Sequence, residues 1–434
     1  MSVRESSFYN HVDETLNRSQ LEAIQDERLR NIVRHTQAHN AFFADHYKEA
    51  GVDAATFKGL EDLEKLPFMS KKDFRTQYPD GMCCVDRSKI IEMHMSSGTS
   101  GTPVVMLYTQ HDLDQWAECM ARCYVMAGMK KTDTIQITPG FGLFNGGFGC
   151  YHGARAAGLF IVPAGPGNTE RQVRLAHDMK TNGFVCVVSY ATRIMEVREK
   201  MGVELPNLRV AICGAESFTP EMKTRLREGL GVEPYDIYGM TETGGIGTLG
   251  QDCQYHNGIH VWEDHYIVEI IDPVTLKHVP DGEIGELAVT ALTREAIPVI
   301  RFRTGDLTRV VSKDCCECGR THVRLDTIKG RIDDMLIIKG VNFFPAQVEQ
   351  ALLKIKGVLP NYRMIINEIN GVKNLRVEVE AEKGVTGYMV EKQLKETLGF
   401  SPDGDIFAPG TLPQTEGKAK RVFFQKDGVD VPKL

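Results

Sequence analysis

The chain has 434 residues, of which 42% are hydrophobic and 25% charged, and its formal net charge is -7. This is the composition of a globular protein with two or three domains, and its acidic balance argues against a nucleic-acid or anionic-membrane partner. No apolar run approaches the roughly 20 residues of a membrane span, and the N-terminus lacks the apolar core of a signal peptide. The eleven cysteines are mostly single in apolar segments, which is typical of reduced thiols, so we expect a cytoplasmic protein.

A helix is predicted over residues 18–50, where apolar residues recur at helical spacing. From about residue 130 to 240, short apolar strands alternate with polar helical stretches, including 169–181 and 219–230. The strand candidates are TIQIT, LFIVPAG, FVCVVSY, LRVAICGAE and YDIYG. This alternation is typical of a largely parallel sheet covered by helices, in which ligands bind beyond the carboxyl ends of the strands.

Residues 265–311 are predicted to be β-rich, because YIVEIID, GEIGELAVT and LTRVV are separated by turn residues. After residues 329–331 the pattern changes to that of a compact α+β unit. A helix begins at Pro345, a strand alternates around Val377, and a second helix surrounds Leu394. The sequence thus predicts an α/β fold. A large domain, 1–329, has mixed and largely parallel sheets with a β-rich part, and a small α+β domain covers 330–434.

Two segments at predicted strand ends carry groups suited to nucleotides. Residues 96–103, SSGTSGTP, combine small hydroxyl side chains with glycines, so backbone N–H groups can approach a polyphosphate closely. No lysine follows the second glycine, which excludes a Walker A loop. In residues 235–245 a strand ends at Tyr238, and a glycine turn presents Thr241 and Glu242. These three side chains suit base stacking, phosphate binding and Mg²⁺ coordination, respectively.

Three further segments are RFRTGDL (301–307), KGRIDD (329–334) and TEGKAKR (415–421). Asp306, which follows a Thr-Gly turn, is suited to accepting hydrogen bonds from both hydroxyls of a ribose. Taken one at a time, the five segments are equally typical of an ordinary turn, a charged linker or a solvated tail. Their combination and order carry the prediction.

In this order the five segments resemble those of the acyl-adenylate-forming superfamily, and most closely those of the phenylacetate–CoA ligase family. Three further segments are similar to that family's own: GFGLFNGG (140–147), NTERQV (168–173) and DMLIIKGVN (334–342). The resemblance extends from about residue 5 to 425. It implies an enzyme that uses ATP and Mg²⁺ to form an acyl-adenylate from an aromatic acid and then transfers the acyl group to coenzyme A. Transfer to a carrier-protein thiol or to an amine is the alternative.

The resemblance also implies roles for single residues. The loop that closes on the β- and γ-phosphates comprises Ser96, Ser97, Gly98, Thr99, Ser100, Gly101 and Thr102. The residues expected around the adenine are Gly214, Ala215, Glu216, Asp236, Tyr238 and Gly239, with Tyr238 stacked on the base and Asp236 near its amino group. Thr241 is expected at the α-phosphate and Glu242 at the magnesium. Asp306 and Arg331 are expected to bind the ribose.

Lys418 matches the family's catalytic lysine, which bridges the acid carboxylate and the α-phosphate. A cation is needed there because a carboxylate must approach an anionic phosphorus centre. By the same resemblance the C-terminal domain is mobile, Asp333 is its hinge, and Lys339 and Gly340 line a tunnel for the pantetheine arm of coenzyme A.

The acid pocket is expected to comprise Phe141, Gly142, Gly146 and Ala215. Phenylacetate ligases often carry Tyr where this chain has Phe141, and Ser-Glu-Val where it has residues 241–243. These differences leave the identity of the acid open, and an aromatic acid is the first choice. The resemblance also favours a homodimer.

The segments CQYHNGIH (253–260) and DCCECGRTH (314–322) combine thiols with imidazoles, as structural Zn²⁺ sites do. Some members of the resembled family carry a similar set. The expected ligands are Cys253, His260, Cys316 and Cys318. Cys315 is the alternative to Cys316, since it has the commoner C-x-x-C spacing to Cys318, and His256 is the alternative to His260. A set of free surface thiols is the competing interpretation.

Overall fold

The computed structural model describes residues 7–96, 102–216, 218–338, 341–369, 372–413 and 420–431. Within these ranges the α-helices are α1 (His11–Glu14), α2 (Arg18–His39), α3 (Ala41–Glu49), α4 (Lys71–Thr76), α5 (Gln110–Met126), α6 (Gly146–Ala157), α7 (Thr169–Asp178), α8 (Val188–Met201), α9 (Pro220–Leu230), α10 (Pro345–Leu353) and α11 (Gly387–Leu398). No helix of this part of the chain is long and apolar enough to cross a membrane.

The strands of the first half are β1 (Glu92–Met95), β2 (Val105–Tyr108), β3 (Thr134–Ile137), β4 (Phe160–Val162), β5 (Gly183–Val187), β6 (Val210–Gly214), β7 (Glu233–Tyr238), β8 (Gly250–Asp252) and β9 (Ile259–Val261). Those of the second half are β10 (Tyr266–Ile271), β11 (Gly285–Ala291), β12 (Phe302–Thr308), β13 (Val310–Ser312), β14 (Arg324–Leu325), β15 (Gly330–Arg331), β16 (Leu336–Ile338), β17 (Val341–Phe343), β18 (Val358–Ile369), β19 (Val372–Ala381), β20 (Asp403–Phe407), β21 (Val422–Lys426) and β22 (Val429–Val431).

The prediction of one helix over residues 18–50 is wrong at Asn40. This residue adopts an extended backbone, with φ -146° and ψ 126°, which ends α2. Its side chain accepts a hydrogen bond from the N–H of Phe42, so it caps the start of α3. A periodic pattern on both sides of a capping residue thus gives two helices and not one.

A nine-stranded sheet in the order β13-β14-β9-β8-β7-β6-β5-β3-β4 forms the centre of the chain's first 325 residues. The pairs among β3, β4, β5, β6 and β7 are parallel. Strands β5 and β6 are almost wholly buried, which explains their continuous apolar runs. The predicted α/β class is confirmed, and the carboxyl ends of β6 and β7 lie side by side at one edge.

A second sheet, in the order β10-β11-β12-β15, is antiparallel, and three of its strands come from residues 265–311, the segment predicted to be β-rich. A third sheet, in the order β20-β19-β18-β21-β22, belongs to the C-terminal part, where α10 and α11 contact each other. Buried residues from Leu336 to Phe400 form a core of their own, separate from that of the central sheet. The domain boundary near residue 330 stays a prediction.

Candidate active site

The ends of β6 and β7 hold the residues predicted to surround a base. Gly214 is required there, because a Cβ at this position would lie 2.5 Å from the carbonyl oxygen of Ile237 on the paired strand. Ala215 follows with φ +66°, a left-handed conformation that is uncommon outside glycine. Glu216 is fixed by Ser189, whose backbone N–H and hydroxyl donate to its two carboxylate oxygens at 2.8 and 3.0 Å. These residues form a rigid rim next to Tyr238.

Tyr238, Asp306 and Arg331, which we call the nucleotide cluster, come together across two sheets. The hydroxyl of Tyr238 donates to Asp306 Oδ2 at 2.5 Å, and Arg331 forms an ion pair with Asp306. Strand pairing sets this contact, because Asp306 on β12 lies opposite Arg331 on β15. The pKa of Asp306 is raised above its ordinary value, because burial raises it more than the neighbouring Arg331 guanidinium lowers it. Arg331 also bonds to Asp333 through Nε at 3.0 Å, so the predicted hinge adjoins the nucleotide cluster.

Thr241 and Glu242 are both buried, in a short 3₁₀ turn that follows β7. Gly239 permits this turn, because a Cβ there would lie 2.3 Å from the carbonyl oxygen of Gly245. The hydroxyl of Thr241 accepts a hydrogen bond from Asn145 Nδ2 at 3.0 Å. Glu242 lies 3.8 Å from the ammonium group of Lys71, at the start of α4. The sequence assigned no role to Asn145 or Lys71, and only the first fell within a segment singled out for its resemblance.

Asp236 lies inside the sheet, under the rim. Burial raises its pKa to about 7, while Lys223 lowers this pKa and Asp252 raises it. The backbone N–H of Asp236 donates to Asp252 Oδ1 at 2.6 Å, and Lys223 Nζ lies 2.6 Å from Asp252 Oδ2. A buried carboxyl group with a raised pKa therefore lies where an adenine amino group is predicted.

Phe141 and Gly142 lie on residues 138–145, a loop that connects β3 to α6 and that we call the acid loop. Gly146, the third predicted pocket residue on this segment, is the first residue of α6. The ring of Phe141 meets that of Phe148 edge-on, with centroids 5.5 Å apart. The N–H of Met95 at the end of β1 donates to the carbonyl of Leu143 at 2.7 Å, so the loop is fixed beside the start of the predicted phosphate loop. Ala215, the fourth predicted pocket residue, lies at the end of β6, with β5 between it and β3.

Several predicted residues lie outside the described residues: Ser97, Gly98, Thr99, Ser100, Gly101, Lys339, Gly340 and Lys418. The two ends of the phosphate loop are described. The hydroxyl of Ser96 accepts a hydrogen bond from the N–H of Val104 at 2.9 Å, and Thr102 is exposed.

The structure gathers the four preferred metal ligands, Cys253, His260, Cys316 and Cys318, which we call the Cys/His cluster. All four are buried, and their ligand atoms lie within 4.8 Å of one another. The sulfurs of Cys253 and Cys316 are 3.8 Å apart, and that of Cys318 lies 3.6 Å from His260 Nε2. The alternatives lie elsewhere. Cys315 is exposed, and His256 bonds to Asp252 and Glu233.

Comparison with known proteins places this architecture in a class. A family model described as AMP-binding enzyme matches residues 18–291, and one described as AMP-binding enzyme C-terminal domain matches residues 340–426. A solved structure of 2-hydroxyisobutyryl-CoA ligase in its postadenylation state, in complex with R3-HIB-AMP, superposes with a TM-score of 0.90. It is 27% identical, over 97% of this chain and 93% of that chain. The same ligase with 2-HIB-AMP and CoA in the thioesterification state gives a TM-score of 0.73, over 99% and 94%. The fold is therefore that of an adenylate-forming ligase.

The relatives narrow this class to one family. The phenylacetate–coenzyme A ligase of Thermus thermophilus is 39% identical over 94% of this chain and 98% of its own length. That of Escherichia coli is 36% identical over 94% and 96%. The chain belongs to the phenylacetate–coenzyme A ligase family of AMP-binding enzymes. Membership confirms the predicted reaction, in which ATP-dependent formation of an acyl-adenylate precedes transfer of the acyl group to coenzyme A.

Proposed function

We propose that this enzyme activates phenylacetate or a closely related arylacetic acid. The observation that carries the proposal is the identity of 36–39% to phenylacetate–coenzyme A ligases over 94% of the chain. An aromatic pair supports it, since Phe141 on the acid loop and Phe148 on α6 meet edge-on and could pack against an aryl group.

In the first half-reaction, the acid carboxylate attacks the α-phosphorus of ATP and pyrophosphate leaves. Thr241 donates a hydrogen bond to the α-phosphate, and Glu242 would hold a magnesium ion, which would supply positive charge beside the phosphates. Asp306 accepts hydrogen bonds from the ribose hydroxyls, Arg331 holds Asp306 in place, and Tyr238 stacks on the adenine. Support comes from the convergence of these side chains at the ends of β7 and β12.

The acid should be identified by measuring pyrophosphate release over a panel of arylacetic, benzoic and short aliphatic acids. We expect the largest kcat/KM for an arylacetic acid and acceleration of turnover by free coenzyme A. A short aliphatic acid as the best substrate would contradict the proposed acid. Acceleration by an amine or a carrier protein, but not by coenzyme A, would contradict the acceptor.

Lys418 is proposed to serve adenylation alone. Lys418→Ala should lower the rate of acid-dependent ATP–pyrophosphate exchange by about 100-fold or more, the scale of losing one preorganised charge contact at the reacting centre. Thioester formation from a supplied acyl-adenylate should persist, and Lys426→Ala on β21 is the matched control. Loss of both half-reactions in a folded Lys418→Ala variant would contradict this division of labour.

We also propose that the Cys/His cluster binds a structural zinc ion. For a tetrahedral site with Zn–S bonds of about 2.3 Å, two sulfur ligands are about 3.8 Å apart, and this is the distance between Cys253 and Cys316. Four ligands fill the coordination sphere, so the metal would hold structure together and take no part in the reaction. It would join the strand that follows the Glu242 turn to the loop of residues 313–322.

That loop is also fastened to the N-terminal segment. Arg320 forms a buried ion pair with Glu14 and stacks over the ring of Phe8. His322 Nε2 lies 2.9 Å from the carbonyl oxygen of Asp13. Zinc bound at the Cys/His cluster would thus stabilise the position of α1 as well as that of the loop.

A further inference from the structure

Asn145 stands at the N-cap of α6 but does not cap it. Asparagine is favoured at this position because its side-chain oxygen accepts a hydrogen bond from an N–H of the first turn. In α6 no such side-chain bond forms, whereas the asparagines that cap α2, α3 and α7 each make one. The side chain of Asn145 is therefore available for a hydrogen bond outside α6.

The amide of Asn145 bonds instead to residues 241–246, the segment after β7 that contains Thr241 and that we call the phosphate-binding turn. Its Nδ2 donates to Thr241 Oγ1 at 3.0 Å, a bond that joins residues 96 positions apart. Both residues are almost fully buried, at 2% and 5% exposure. Among the described residues, no other group bonds to this hydroxyl, so Asn145 determines its orientation.

The backbone of the same turn is held by other residues. The Tyr108 hydroxyl donates to the carbonyl of Gly244 at 3.2 Å, and the Tyr266 hydroxyl donates to that of Thr243 at 2.8 Å. The indole N–H of Trp116 donates to the carbonyl of Ile246 at 2.9 Å. Loss of the Asn145 amide would thus leave the course of the chain intact and free only the hydroxyl.

A threonine hydroxyl carries one proton and two lone pairs. When an amide N–H donates to one lone pair, the proton cannot be used on that amide and stays available for another acceptor. We infer that Asn145 is a positioning residue that keeps Thr241 as a hydrogen-bond donor toward the α-phosphate. The inference rests on the proposed role of Thr241. It adds that the acid loop, which carries Asn145, controls a phosphate contact.

The decisive variant is Asn145→Asp, which has almost the same shape but accepts where asparagine donates. The carboxylate would accept a hydrogen bond from the Thr241 hydroxyl, whose proton would then no longer point to the phosphate. It would also bring a negative charge toward the phosphate. We expect kcat of ATP–pyrophosphate exchange to fall by about 10- to 100-fold, the usual effect of removing an outer-shell hydrogen bond. Asn145→Ala should have a smaller effect in the same direction. For Asn145→Ala, which adds no charge, the KM values for acid and ATP should stay within about twofold, because this variant changes the orientation of one hydroxyl and not the binding surface.

A double-mutant cycle with Thr241→Val separates this mechanism from a merely structural one. If Asn145 acts through the hydroxyl, adding Asn145→Ala to Thr241→Val causes no further loss, while adding it to Thr241→Ser does. Thioester formation from a supplied acyl-adenylate should be unchanged throughout. Asn17→Asp, at the exposed N-cap of α2, is the matched control and should leave the exchange rate unchanged.

Each other outcome overturns the inference in a recognisable way. If Thr241→Val exchanges pyrophosphate at the parent rate, the proposed α-phosphate contact fails and the inference fails with it. If Thr241→Val is slow but the Asn145 variants exchange pyrophosphate at the parent rate, only the positioning role fails. The same holds if the fold-losses of Thr241→Val and Asn145→Ala multiply in the double variant. A rise confined to the KM of the acid would assign Asn145 to the acid pocket instead.

Discussion

The nucleotide cluster and the Cys/His cluster are both built from residues far apart in the sequence, but their internal contacts differ. In the nucleotide cluster the polar groups bond to one another, Tyr238 and Arg331 both to Asp306. In the Cys/His cluster four ligand atoms approach one common point within 4.8 Å of each other.

This difference corresponds to two kinds of binding. A ribose bound as proposed at the nucleotide cluster would exchange hydrogen bonds that already exist, so no buried charge would be left unpaired with or without the ligand. Thiols gain little from one another, and a closed cluster of them is stabilised mainly by a metal. In a site that must release its product, the polar groups are hydrogen-bonded to one another. In a permanent metal site, the ligand atoms are directed to one common point.

The largest expected effect tests the nucleotide side of this comparison, where the ligand is bound and released. Glu242→Gln removes the carboxylate proposed to hold magnesium and leaves Lys71 without its ion pair. We expect kcat of adenylation to fall by about 100- to 1,000-fold, with a higher Mg²⁺ concentration needed for half-maximal rate. The measurement is ATP–pyrophosphate exchange against Mg²⁺ concentration, with Glu49→Gln on α3 as the control. An unchanged Mg²⁺ dependence would place the metal ligand elsewhere.

The next largest effect tests the Cys/His cluster, the proposed permanent metal site. Cys316→Ser should abolish bound zinc in elemental analysis and lower the free energy of unfolding by about 2–4 kcal/mol, as loss of a structural metal does. The adenylation rate of the folded variant should stay near that of the parent. Cys315→Ser changes the exposed neighbouring thiol and is the matched control. Equal zinc contents in the two variants would show that the ligand set is wrong.

The smallest effect concerns Asp236 and tests the same contrast, because within the described part of the chain no group is hydrogen-bonded to this carboxyl, whereas Asp306 is bonded to Tyr238 and Arg331. Burial raises its pKa to about 7 from an ordinary 3.8. Between these two values the unfolded chain releases the proton and the folded chain keeps it, so the parent loses stability as the pH rises. Asp236→Asn lacks this cost.

We therefore expect the thermal midpoint of Asp236→Asn to exceed that of the parent by a margin that grows as the pH is raised through this window, with little further growth above about pH 7. Asp45→Asn, an exposed change on α3, should show no such growth. A margin that shrinks with rising pH would contradict the direction of the shift.

The inner parallel strands β3, β5, β6 and β7 could be predicted because they are largely buried on both faces and therefore form apolar runs in the sequence. The break at Asn40 could not, because the periodicity continues across it and only the local backbone shows the cap. The contact of Lys71 with Glu242 left no trace in the sequence, since it joins two turns that only the fold brings together.

The Cys/His cluster shows a different limit. Spacing favoured Cys315 with Cys318, yet the chain directs Cys316 inward and leaves Cys315 exposed. The loop has no periodicity, so which of two adjacent thiols faces the protein cannot be predicted from their order. The proposed nucleotide-binding residues Tyr238 and Asp306 are brought together by strands whose direction is fixed by the sheets, and their assignment as ligands stays a prediction.

The acid loop contacts the end of β1 through Leu143 and the phosphate-binding turn through Asn145. One segment thus adjoins the binding regions of two substrates, and a coupling free energy between two bound ligands acts equally in both directions. An acid that displaces this loop should weaken ATP binding by the same factor by which ATP weakens binding of that acid. Poorly fitting acids would then be recognised by a raised dissociation constant for the nucleotide as well as by their own.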